Sequence, residues 1–334
     1  MPRKKTPTIY DVAELSGVSI STISRVLNAP DKVNTETHRR VIEAIDKLGF
    51  VPKAEARARA MRNTGRIGVL TPFFTAPSFV QRLRGVASAL SKANYELVVY
   101  TVESAAQLEN YFASIPLTSN LDGLIIMSLS ISEENAHRLT KYNIPAVLIE
   151  YPHPTLSSVE IDDVEGGRMA AEYLIKKGHR RIAFLGDTDL PEYAIHPVSL
   201  RLSGFRQSLQ NAGIEIPDEF VRLAPYTQEQ TLRVANELLN LPNPPTAIFA
   251  ATDFQALGVL KAARTMKVQV PEQVAIVGFD DLDLADYADL TTIRQHLDES
   301  GRLSVEILLS RIDDPSRPAQ HIHLPLTLIE RQTA

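Results

Sequence analysis

Apolar positions in the first fifty residues fall into three short helical periods. Ile9, Val12, Ala13 and Leu15 form the apolar side of a first helix, which Thr8 can cap with Asp11 as the reciprocal acid and which Gly17 ends. Ser19 can cap a second helix, where Ile23, Val26 and Leu27 have core spacing. Asn28, Pro30 and Asp31 mark a loop. Asn34 or Thr35 then starts a third helix, which Val41, Ile45 and Leu48 anchor and Gly49 stops. After Pro52 comes KAEARARAMRN, residues 53–63, rich in Ala and Arg and poor in large apolar side chains. Such a segment has helix propensity but little to bury, so it reads as a conditional helix that needs a partner to order it.

From Arg66 the pattern changes. Short apolar runs alternate with amphipathic stretches: RIGVL and Phe79–Ala93, YELVVY and Ala105–Ile115, LDGLIIM and Glu133–Tyr142, then IPAVLIE. After a break at Ile161–Asp163 the series restarts with Val164–Lys177, RIAFLGD, Ser199–Ala212, a strand near Val221, Glu229–Asn240, AIFAATD, Phe254–Met266 and VAIVGFD. Solidly apolar strands alternating with helices predict a parallel sheet covered on both faces, and two such series predict two lobes. LTTIRQHLDESGRLSVEILLSRI and a last strand, HIHLPLTLIER, are expected to return and complete both lobes.

Composition narrows the class. A chain of 334 residues exceeds one ordinary core, so two or three domains are expected, and 44% hydrophobic with 22% charged residues is a soluble globular balance. No apolar run reaches the roughly 18 residues of a membrane span, and the basic N-terminus has no apolar stretch behind it. The absence of cysteine excludes disulfides and thiolate metal sites. A cytoplasmic location is the expectation. Residues 1–63 hold 12 Lys/Arg against 7 Asp/Glu, whereas the remainder holds 23 against 33. A basic head on an acidic body points to a polyanionic partner, although a solvated arm carrying Arg3, Lys4 and Lys5 would give part of the same excess.

The head carries the most specific chemistry. A first helix, a tight turn at Gly17 and a second helix rich in Ser and Thr make a helix-turn-helix. Ser19, Ser21, Thr22 and Ser24 are small donors that reach phosphates or base edges, and Arg25 can pair bidentately with guanine in the major groove. Packing alone does not call for so many short polar residues beside an Arg on one helix.

These segments, together with GFVP, IDDVEGGRMAAEYLIKKGHRRIAFLGD, RLSGFRQSL, ATDFQALGVLKA, VPEQVAIVGFDD, LTTIRQ and LIERQT, closely resemble the lactose/galactose-repressor (LacI/GalR) family from about Thr8 to Thr333. The resemblance implies an N-terminal all-α helix-turn-helix head at 1–50 and a hinge helix at 51–63. Behind them it implies an α/β core of two doubly wound parallel-sheet lobes like that of periplasmic binding proteins. One lobe is expected at 64–161 plus about 293–318, the other at 162–292 plus about 319–334. By position, Thr8, Ser19, Ser24, Asn28, Asn34 and Thr37 would touch the DNA backbone, and Ile20, Ser21 and Arg25 would face base edges. Ile20 is apolar and would meet a thymine methyl. The cleft between the lobes would be lined by Ser78, Phe79, Glu150, Arg201, Tyr226, Thr252 or Asp253, and Asp280, with Asp281 the helix cap of its pair. Acids, an Arg and aromatic rings suit a polyhydroxylated ring.

One departure stands out. The family's hinge places a leucine seven residues after the proline, and here that position is Arg59, with Arg57, Met61 and Arg62 beside it. Arg57 and Arg59 suit a narrowed minor groove, Met61 could be a wedge from a shifted register, and an exposed linker is the plain alternative. His321-x-His323 reads as an edge-strand pair rather than a metal site, and Gly166–Gly167 as a close-packing point. The expectation is a homodimeric regulator, a repressor, whose two heads read a pseudo-palindromic operator and whose affinity a sugar-like effector modulates. No leucine-heptad tail follows the last strand, which favours a dimer over a tetramer. No cofactor, metal or membrane partner is expected. A transport-type solute-binding protein would need an export signal and no head. An α/β enzyme would need a catalytic constellation, and none of the common motifs is present.

Overall fold

The computed structural model describes residues 7–28, 33–50, 64–118, 120–188 and 191–334. The hinge reading for 51–63 and the loop residues Pro30 and Asp31 lie outside them.

The head consists of α1 (Ile9–Ser16), α2 (Ile20–Asn28) and α3 (Thr35–Leu48). Gly17 and Gly49 close α1 and α3 in the left-handed region, with φ of 66° and 64°, the conformation glycine adopts without a Cβ penalty. Val12, Ile23, Val26, Val41 and Ile45 are fully buried and form its small core.

The body holds two six-stranded sheets. The first contains β1 (Arg66–Thr71), β2 (Glu96–Thr101), β3 (Gly123–Met127), β4 (Ala146–Ile149) and β5 (Ser157–Glu160). The second contains β6 (Ile182–Asp187), β7 (Val221–Ala224), β8 (Ala247–Ala250), β9 (Ala275–Asp280) and β10 (Thr291–Arg294). β11 (His321–His323) joins the first and β12 (Thr327–Ile329) the second, giving the matched orders β11-β5-β4-β3-β1-β2 and β12-β10-β9-β8-β6-β7. Among the described residues, all ladders are parallel except β10 with β12.

Helices cover both faces of each sheet, which is why the central strands are apolar throughout. On the first sheet, α4 (Pro77–Lys92) and α12 (Leu297–Asp313) pack through Val86, Leu90, Val305 and Leu308, and α5 (Ala105–Thr118) and α6 (Glu133–Lys141) through Leu108, Phe112 and Leu139. On the second, α7 (Asp163–Lys176) and α8 (Pro197–Asn211) take one face, and α9 (Gln228–Leu239) and α10 (Asp253–Met266) the other, with the short α11 (Asp283–Tyr287) after β9.

The chain's return differs from the expected boundaries. β10 stays in the second sheet through Arg294, so the first lobe's helix begins after it rather than at 293. The run HIHLPLTLIER is two strands, and its first half, β11, is an edge of the first sheet rather than part of a second lobe starting at 319. Pro325 lies between them and has no N–H to give a ladder, so the run breaks there and the chain crosses.

The head rests on the first lobe. Leu117 and Tyr142 join the buried cluster that holds Ile23, Leu27, Ile42 and Ile45. Asp46 of α3 accepts hydrogen bonds from Arg138 and, at 2.8 Å, from the Tyr142 hydroxyl.

Candidate nucleic-acid interface and inter-lobe cleft

In α2 the apolar residues Ile23, Val26 and Leu27 turn inward, so Ser21, Ser24 and Arg25 are exposed on the opposite side, with Ile20 beside them at 38% exposure. The Ser19 hydroxyl accepts the Thr22 N–H at 3.2 Å and lies 2.8 Å from the Ser21 hydroxyl and 2.9 Å from that of Thr22. One cap therefore fixes the start of the helix and gathers three hydroxyls at one corner. Asn34 caps α3 by accepting the Thr37 N–H at 2.7 Å. Asp11 accepts both the N–H and the hydroxyl of Thr8 at 2.6 Å. Ser19, Asn34 and Thr8 thus sit at the starts of three helices, where backbone N–H groups favour an anion. The Asn28 side chain, Arg57 and Arg59 lie outside the described residues.

Doubly wound sheets place their ligands at the C-terminal ends of their strands, and here Glu150 follows β4 and Asp280 ends β9. Glu150 follows β4 directly with φ of 68° and accepts hydrogen bonds from Arg82 and from the Ser128 hydroxyl. Arg82 projects from α4, is 2% exposed, and also donates to Ser300 at 3.0 Å and to Gln295 at 3.2 Å. Gln295 in turn donates to Asp280 at 2.5 Å, and Asp280, the last residue of β9, belongs to the second lobe. A buried polar chain therefore runs across the molecule from Ser128 through Glu150, Arg82 and Gln295 to Asp280. Burial opposes the charge on Glu150, but Arg82, the Ser128 hydroxyl and Arg201 outweigh it and hold its pKa below the ordinary value. At Asp280 burial wins over Arg201 and Gln295 and pushes the carboxyl up to about 7.

Arg201, on α8, is the second lobe's counterpart of Arg82. It donates to Asp163 at 2.8 Å and to the Ala251 carbonyl at 2.6 Å, and its guanidinium lies 3.6 Å from the centre of the Phe279 ring. Both arginines come from helices that cross a neighbour at glycines. A Cβ on Gly85 would lie 2.0 Å from the Asp298 carbonyl oxygen, and one on Gly167 would lie 1.8 Å from that of Arg201. Gly167 is thus the expected close-packing point.

Tyr226 stacks on Phe254 with ring centres 4.8 Å apart, and burial raises its phenol pKa. Ser78 and Phe79 occupy the first turn of α4, Phe79 edge-on to Phe73 at 5.9 Å. Thr252 caps α10 through the Gln255 N–H at 3.2 Å. Asp253 departs from expectation. It is fully buried, one oxygen accepting the Thr292 hydroxyl at 2.6 Å and the other the Leu282 N–H at 2.8 Å, so both are used inside the second lobe. Asp281 is not a cap either, but an ion-pair centre for Arg294 at 2.6 Å and Arg331 at 2.8 Å. The lobes meet on both sides of the cleft. Leu129 pairs with Ala194, the Ile195 N–H reaches the Ser128 carbonyl at 3.2 Å, and Arg84 bridges Asp283 and Asp298.

Sequence reasoning missed Arg82, Ser128, Asp163 and Gln295. Arg82 carried a signal, since it shares the helical stripe of Phe79, Val86 and Leu90, and an Arg on an apolar stripe needs a buried partner. Among the described residues, no group of His, Asp and Glu is arranged to hold a metal ion.

Residues 8–53 match the model of bacterial regulatory proteins of the lacI family, and residues 171–334 match a periplasmic binding protein-like domain. The ribose operon repressor of Escherichia coli (strain K12) is 33% identical over 333 residues, 98% of this chain and 99% of that protein. The chain belongs to the LacI family. Among solved structures, the transcriptional regulator CelR–cellobiose complex aligns with a TM-score of 0.70 at 30% identity, covering 98% of this chain and 100% of that one. The Lac repressor dimer bound to operator and an anti-inducer aligns with a TM-score of 0.67 at 28% identity over 98% and 99% of the two chains. This LacI-family chain is therefore a DNA-binding transcriptional regulator. No helix among the described residues is long and apolar enough to cross a membrane.

Proposed function

We propose that this LacI-family regulator is a homodimeric cytoplasmic repressor that acts by binding rather than by catalysis. Two copies of α2 read a pseudo-palindromic operator through Ile20, Ser21 and Arg25. Thr8, Ser19, Thr22, Ser24, Asn28, Asn34 and Thr37 hold the backbone, and Arg57 and Arg59 enter the minor groove. A sugar bound between the lobes by Glu150, Arg201, Tyr226, Thr252 and Asp280, with Ser78 and Phe79 at the mouth, changes their closure and so the operator affinity.

The observation that carries this reading is the buried polar chain from Ser128 to Asp280. It spans both lobes and ends on an Asp280 oxygen that is buried without a hydrogen-bond partner. A ligand hydroxyl arriving there gains a desolvated acceptor and bridges the lobes. The test is thermal melting of the full chain with a panel of uncharged sugars that includes ribose and cellobiose. A sugar at about 100 times its Kd should stabilise the fold by about 2.7 kcal/mol. It should also change operator affinity. A flat response across the panel would overturn the reading.

A further inference from the structure

Asp187 ends β6 and so stands in the row of strand termini that holds Asp280. It shares a feature with Asp280: one carboxylate oxygen of each, Oδ1 of Asp187 and Oδ2 of Asp280, is buried with no hydrogen-bond partner. A desolvated acceptor without a donor costs stability, and a fold keeps such a group where a donor arrives from elsewhere. Asp187 and Asp280 end the two strands that flank β8 in the second sheet, and Tyr226 and Arg201 lie within electrostatic reach of both carboxyls. The two nearby guanidinium groups are already matched. Arg82 faces Glu150 and Arg201 faces Asp163, both as close ion pairs. An anionic ligand would therefore meet the Glu150 carboxylate and three carboxyls whose own charge burial already opposes, with both guanidinium groups committed.

We propose that Asp187 is an effector-contacting, specificity-determining residue, which with Asp280 accepts the hydroxyls of an uncharged polyol and excludes its phosphorylated or carboxylated analogues. This rests on the cleft being the effector site. Selectivity follows from both sides of the interaction: hydroxyl donors satisfy two stranded oxygens, and a phosphate would bring its own charge into a desolvated site whose two arginines are already ion-paired.

The experiment melts the full-length wild type, Asp187→Ala and Asp187→Asn, first without sugar and then with ribose, cellobiose and ribose 5-phosphate. Without sugar, Asp187→Ala is expected to melt at or above the wild-type temperature, because an unpaired buried oxygen has been removed. The uncharged sugar that stabilises the wild type should bind Asp187→Ala roughly tenfold or more weakly. Ribose 5-phosphate should not stabilise the wild type. A clear fall in the melting temperature of Asp187→Ala with an unchanged sugar response would make Asp187 structural and overturn the proposal. Stabilisation by ribose 5-phosphate equal to that by ribose would overturn the charge argument. If no sugar shifts the wild type, the effector reading fails by itself. The ligand-free comparison still decides whether Asp187 is held against stability.

Discussion

Arg82 is the residue on which the cleft depends most. Two per cent exposed, it compensates Glu150 and links through Gln295 to the other lobe. Replacing it by Ala leaves a buried carboxylate without its cation, a change that typically costs 3–5 kcal/mol. Urea denaturation of Arg82→Ala should show that loss in ΔG of unfolding. A loss below about 1 kcal/mol would mean that Glu150 rehydrates or takes a proton at little cost. Asp280 gives a pH signature of the opposite kind. Its folded pKa is raised by burial to about 7 from 3.8, so between those values the unfolded chain has released the proton and the folded chain still holds it. Stability therefore falls as pH rises from about 4 to about 7 and levels off above. Asp253 is shifted in the same direction by its burial and contributes to the same slope. Asp280→Asn should melt above the wild type at pH 8 and show a shallower decline from pH 4 to pH 7. A variant with the wild-type slope would assign that slope to the other buried carboxyls, Asp253, Asp163 and Asp187. The place of Glu150 and Asp280 at strand ends was readable because an acid at the end of an apolar strand has few places to point. Asp281 sits one position further into the turn, and how the two acids point there is set by φ of 124° at Asp280 and 57° at Asp281, which the sequence does not display. Asp253, the first residue of α10, points into its own lobe instead.

Among the elements, the helix pairs next to the cleft impose the tightest constraint. α7 crosses α8 so closely that Gly167 and Gly204 each face backbone, the second at 1.9 Å from the Val164 carbonyl oxygen for an added Cβ. Gly167→Ala must push α8 away and carry Arg201 with it, at an overpacking cost of about 1–3 kcal/mol. Calorimetry should show a lower melting temperature for Gly167→Ala, accompanied by a weaker response to any sugar that binds the wild type. A full wild-type melt would mean that the helices part without strain. This packing role was visible in the sequence because Gly166–Gly167 open a helix with no phosphate motif around them. The alternation of strand and helix was equally plain, since each period is long and repeats in both lobes. What remained hidden was the path of the return. HIHLPLTLIER has strand character on both sides of Pro325, and only the pairing with β5 on one side and β10 on the other divides it between sheets.

Considered as one molecule, the chain sets its head and the buried inter-lobe polar chain at opposite ends of α6. Ser132 caps α6 immediately after the segment in which Ser128 bonds Glu150 and Leu129 pairs with the second lobe. At its other end Arg138 and Tyr142 hold Asp46 of the head, and Arg138 also donates to the Ala113 carbonyl at 3.1 Å. None of this was legible beforehand, because contacts between a basic head and an acidic body leave no periodic trace. The seam is only partly apolar, and its polar centre is half-shielded, with Asp46 29% and Arg138 11% exposed as side chains. Reversing one charge there should matter more than reversing an exposed one, since Arg138→Glu sets a carboxylate against Asp46 where water screens it poorly. The expected outcome is faster amide hydrogen exchange in α3 and in the C-terminal turns of α5 and α6, with the strands of the two sheets unchanged. Combining Arg138→Glu with Asp46→Arg should restore much of the protection, because the swapped pair can face each other again. Unchanged exchange in Arg138→Glu would show that Leu117 and Tyr142 hold the head through apolar contact alone. Loss of protection that the double variant does not recover would trace the effect to a misfolded α6 instead of a broken ion pair.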